Sequence, residues 1–121
     1  MSNMSYSVPE GKLYNLSTIE EISHGNEAFV KKMLQLFIDT MPPALSELRA
    51  HLNSGNWNGL GAIAHKIKPS IDTMGIELLR EDIRMVEKCG KEALNLELVP
   101  DLLDKIDAVI YSIIDELKMQ L

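Results

Sequence analysis

Apolar residues recur at three- and four-residue intervals along almost the whole chain, and the strict alternation of a half-buried strand is absent. Leu13, Leu16, Ile19 and Ile22 stand three apart and predict a short helix over about Ser17 to Ser23, with Ser17 as N-cap and Glu20 completing a capping box. Gly25 ends it. Asn26 is placed to cap a second helix, whose stripe runs Phe29, Val30, Met33, Phe37, Met41, Ala44, Leu45, Leu48 and Leu52. The stripe keeps phase across Pro42 and Pro43, so one long kinked helix is expected rather than two. Leu36 falls off the stripe. It either contacts the short first helix or belongs to an exposed docking patch.

Ser54-Gly55-Asn56 breaks the pattern, and Asn56 caps a third helix running to about Met74, with Leu60, Ile63, Ala64, Ile67, Ile71 and Met74 on its seam. Gly75 supplies a left-handed turn. Ile76, Leu79, Ile83 and Val86 mark a fourth helix, expected to end at Gly90, and residues 91–98 read as a loop. Pro100 suits the first turn of a last helix carrying Leu102, Leu103, Ile106, Val109, Ile110, Ile113 and Leu117. Four long amphipathic helices with short links predict an all-α fold: an antiparallel four-helix bundle with a short additional N-terminal helix. Residues 1–12 read as a flexible tail and residues 13–121 as the domain.

At 121 residues the chain is long enough for one core and too short for two ordinary domains. A net charge of −6 argues against a nucleic-acid binder, which would present a basic stripe. Cys89 is the one cysteine, so no disulfide forms within the chain, and it reads as a small packing residue. The N-terminus lacks the basic-then-apolar layout of a signal peptide, and no apolar run approaches a membrane span. The expected location is the cytoplasm. The initial Met and polar tail suggest a free-standing protein.

The third helix carries the candidate chemistry. His65 projects roughly 150° from the centre of its seam and should face solvent. One turn away stand Gly61, Ala62, Lys68 and Pro69, which form a low collar that another protein can approach. Close approach of a partner would explain Gly61, whereas Gly59 fits a packing contact. Lys68, at i+3, can set an ammonium beside whatever the imidazole carries. Lys66 and Asp72 complete the expected binding surface. His24, in a turn, and His51, near a helix end, read as ordinary surface residues. No His or Cys pair has metal-ligand spacing. Ser70 is displaced round the helix from His65, and no third group completes a hydrolytic triad. No phosphate-binding glycine loop occurs, so binding or hydrolysis of ATP is not expected.

The run His65-Lys66-Ile67-Lys68-Pro69-Ser70, preceded by Ala64 and followed by Gly75, resembles the motif of the histidine-containing phosphotransfer (HPt) domains. The similarity extends upstream through Phe29 to Leu52 and Gly55-Asn56-Trp57, and covers most of the chain from about Leu13. The family usually has glycine where Pro69 stands. Proline has no N–H, so the carbonyl of His65 loses its helical partner, and a local kink or a water is expected there.

The resemblance implies a phosphocarrier, without catalytic turnover of its own, that relays a phosphoryl group between His65 and the Asp of response-regulator receiver domains. Nε2 of His65 would accept the group and Lys68 would stabilise it. No cofactor is expected in this chain; Mg²⁺ would reside in the receiver. A hybrid sensor kinase would feed the relay, and the carrier itself would be a monomer that needs neither nucleic acid nor membrane. Two alternatives stay open. One is a phosphate-silent helical adaptor that binds receivers. The other is a dimerisation bundle of the histidine-kinase kind, although that class usually places an acidic residue where Lys66 stands.

Overall fold

Helix-forming sequence punctuated by asparagine and glycine gives a fold built of helices. The computed structural model describes residues 6–121; the first five residues of the expected tail lie outside them. Among the described residues are five α-helices and no strand: α1 (Ser17–Ser23), α2 (Glu27–Ser54), α3 (Trp57–Thr73), α4 (Glu77–Glu92) and α5 (Val99–Gln120), with a 3-10 turn at Leu96–Leu98. No helix among these residues is long and apolar enough to cross a membrane.

The stripes of α2 to α5 converge on one core. Leu48, Leu60, Ile71, Leu79, Ile83, Ile106 and Ile110 are all fully buried, each burial contributing ~1.5–3 kcal/mol. Helix α3 packs between α2 and α4, and α5 closes on α2 and α4 from the other side. The short α1 lies on α2 and buries Ile19. Ahead of it, Tyr14 is buried and accepts a hydrogen bond from Gln120. Tyr6 also packs against the core, with the Lys105 ammonium over its ring.

Helix ends follow the side chains that satisfy their free N–H groups. Asn26 Oδ1 accepts from Phe29 N–H, and Asn56 Oδ1 from Gly59 N–H, both at 3.0 Å. Ser17 does not cap α1. It is the first residue inside the helix, and its N–H and hydroxyl both donate to Asn15 Oδ1 at 2.9 and 2.6 Å, an Asx turn built on the residue two positions upstream of the expected cap. Helix α2 runs unbroken through Pro42 and Pro43 because buried Met41 and Ala44 hold it to the core on either side.

At the α3–α4 turn, Gly75 has φ +63°, and a Cβ there would lie 2.6 Å from the Asn15 carbonyl oxygen. Position and conformation both demand glycine. Gly90, expected to end α4, instead lies inside it. The helix continues to Glu92 and stops at Ala93, in the left-handed region with φ 52°. Gly90 is where α3 and α4 touch, backbone to backbone, so the missing side chain serves packing rather than termination. Lys91 and Glu92 therefore belong to α4, and the remaining link to α5 contains the 3-10 turn.

Candidate functional site

On α3 the His65 ring points away from the core, its side chain 62% exposed. Facing it from α4 is Glu87, four residues after Ile83 and so on the buried side of its helix, with its side chain only 10% exposed. A carboxylate in that position requires donors, and it has three. His65 Nδ1 lies 2.6 Å from Oε2, Lys68 Nζ 2.7 Å from Oε1, and Lys91 Nζ 2.7 Å from Oε2. The hydrogen bond from Lys68, then those from Lys91 and His65, outweigh desolvation and hold the Glu87 carboxyl down at about 2.

That ionisation fixes the histidine's chemistry. An ionised carboxylate only accepts, so Nδ1 must carry the proton. In the neutral imidazole, Nε2 then keeps its lone pair, on the ring nitrogen not held by Glu87. The site therefore offers a tautomerically ordered nucleophile with two ammonium groups gathered on the same carboxylate.

The expected site residues are distributed as follows. His65 and Lys68 meet through Glu87. Ala62, Lys66 and Pro69 are exposed on α3, which remains helical through Pro69. Asp72 continues the α3–α4 seam, bound by Arg84 at 2.7 and 3.2 Å with Arg80 at 3.6 Å, and the bond from Arg84 lowers its carboxyl. Gly61 departs from expectation. It is buried, and a Cβ there would sit 3.0 Å from Lys91 Cγ and 3.1 Å from Lys91 N, so it offers no collar to a partner. Gly59 faces side chains, with the His51 ring 2.6 Å from where its Cβ would stand.

Reading the sequence missed Glu87 and Lys91. The signal was present: Glu87 interrupts the apolar stripe of α4 at Ile83, Val86 and Gly90, and Lys91 follows it at i+4.

One to two turns beyond His65 along α3, an apolar groove of about 150 Å³ runs between α1, α2 and α3, lined by Ile19, Met33, Leu36, Pro69, Ser70 and Thr73. Leu36 on its rim is 54% exposed. Among the described residues, no group of three His, Cys, Asp or Glu side chains is arranged to hold a metal ion. Cys89 is buried, and burial pushes its thiol up.

A family model described as Hpt domain matches residues 32–119. Searches of curated proteins and of solved structures gave no match.

Proposed function

Because the chain belongs to the Hpt domain family, and so takes part in histidine phosphotransfer within a two-component phosphorelay, we propose that His65 is the phosphoacceptor and Glu87 the group that orders it. The observation that carries this reading is the 2.6 Å contact from Nδ1 to a carboxylate held ionised. The Nε2 lone pair attacks the phosphorus of an aspartyl phosphate on a receiver domain. A P–N bond forms, the P–O bond to the Asp breaks, and the carboxylate leaves. Nδ1 keeps its proton throughout, and the positive charge gained by the ring lies against Glu87. On return transfer the same proton lets the imidazole depart as a neutral leaving group.

Lys68 and Lys91 are held by Glu87 until phosphate arrives, and either ammonium can then turn to the phosphoryl oxygens. The groove rimmed by Leu36 is the docking face for the receiver, which supplies its own Asp and Mg²⁺. The cyclic packing of α2, α3, α4 and α5 supports the antiparallel four-helix bundle, with α1 as the additional N-terminal helix. In this reading the chain is a cytoplasmic monomer supplied by a hybrid sensor kinase.

The test is transfer of acid-labile label from a panel of Asp-phosphorylated receivers in Mg²⁺. Label is expected on the wild type and not on His65→Gln. Receiver binding without any label on the wild type would overturn the reading in favour of an adaptor.

A further inference from the structure

Glycine is a poor helix former, yet α3 and α4 each carry one in their interior where they cross. We propose that Gly90 and Gly61 are positioning residues for phosphotransfer, their backbone contact setting the helix spacing at which Glu87 reaches His65 Nδ1. This rests on His65 being the phosphoacceptor.

A Cβ on Gly90 would lie 2.6 Å from Gly61 N, 2.8 Å from Gly61 Cα and 2.9 Å from Trp57 O. All three are backbone atoms, so no side chain can swing aside to make room. In the other direction, a Cβ on Gly61 would meet Lys91 Cγ at 3.0 Å, Lys91 N at 3.1 Å and Glu87 O at 3.3 Å. The Lys91 stem thus passes over the bare face of Gly61 on its way to Glu87 Oε2.

The crossing lies about one turn from the bond it controls. Gly61 precedes His65 by four residues, and Gly90 follows Glu87 by three. Ordinary contact begins near 3.4 Å, so an alanine at position 90 must open the crossing by about 0.8 Å, the difference from 2.6 Å. Carried one turn along the seam, that opening takes the 2.6 Å Nδ1–Oε2 contact to about 3.4 Å, beyond hydrogen-bond range. The proton on Nδ1 is then no longer pinned, and Nε2 is bare in only part of the population.

The experiment compares wild type, Gly90→Ala and Gly61→Ala in the full chain, each also combined with Glu87→Ala. Two quantities are read: the His65 tautomer, from imidazole ¹⁵N shifts at a pH where the ring is neutral, and the rate of transfer from a phosphorylated receiver. Gly90→Ala is expected to convert an Nδ1–H ring into a tautomer mixture and to slow transfer at least tenfold, with Gly61→Ala intermediate. In the Glu87→Ala background neither glycine substitution should slow transfer further, because the bond it perturbs is already gone. A folded Gly90→Ala protein with the wild-type tautomer would overturn the proposal, as would a rate loss that persists undiminished without Glu87. Should Gly90→Ala not fold, Gly61→Ala decides on the same two criteria. The tautomer measurement needs no receiver, so a wild type that never accepts label would sink the phosphoacceptor reading while the spacing is still judged by NMR.

Discussion

Replacing Glu87 by glutamine removes one negative charge from beneath three donors and keeps one acceptor oxygen. The carboxyl sits at about 2 in the folded protein against an ordinary 4.5. Because the folded value is the lower one, the ionised group stabilises the fold. That contribution is complete above pH 4.5 and is lost as pH falls towards 2. At ~1.4 kcal/mol per tenfold change in proton affinity, the difference corresponds to ~3 kcal/mol as a ceiling. Screening lowers it, since the side chains of Lys91 and His65 are more than half exposed, and ~1–2 kcal/mol is the expected size.

Urea denaturation of wild type and Glu87→Gln should therefore differ by ~1–2 kcal/mol at pH 7, with most of the gap gone by about pH 2.5. Asp72, held low by Arg84, titrates in the same acid range but cancels in the comparison. A gap that is absent at pH 7, or constant across that range, would show that the ion pairs to Glu87 do not lower its proton affinity as the geometry requires. Because the glutamine oxygen can still accept from Nδ1–H, Glu87→Gln should also retain more phosphate acceptance than Glu87→Ala.

Two further outcomes follow from the helix ends and the groove. Asn56→Ala removes the cap on Gly59 N–H and should cost ~1 kcal/mol in the same denaturation experiment, with no change in the Glu87 pH dependence. Leu36→Glu, on an exposed position at the groove rim, should leave stability within ~0.5 kcal/mol and weaken receiver binding in calorimetric titration; unchanged affinity would remove the groove from the docking face.

Periodicity alone placed most of this structure. The bounds of α1, the caps at Asn26 and Asn56, the continuity of α2 across two prolines and the outward face of His65 all follow from spacing within one helix. Apart from the start of α1, where Asn15 rather than Ser17 accepts the free N–H, what escaped depends on two helices at once. Gly61 reads as a collar for a partner and Gly90 as a stop because each, taken on its own helix, lacks a reason to be there. Their reason is each other. Likewise Lys68 reads as a free ammonium beside the imidazole until Glu87 appears across the seam.

Glu87 is the residue from which the cross-helix arrangement can be argued. A carboxylate on the buried stripe of α4 is tolerated only if the facing helix brings donors to it. Helix α3 presents its basic side chains on that side at His65 and Lys68, one turn apart, and Lys91 supplies a third from α4 itself. To receive all three, the helices must approach closely near Glu87, and two interior glycines a turn away allow it. The charge that violates the apolar pattern and the glycines that violate helix propensity thus serve one requirement, a short bond to Nδ1. The same bond holds the proton of an exposed imidazole on Nδ1 and leaves Nε2 bare.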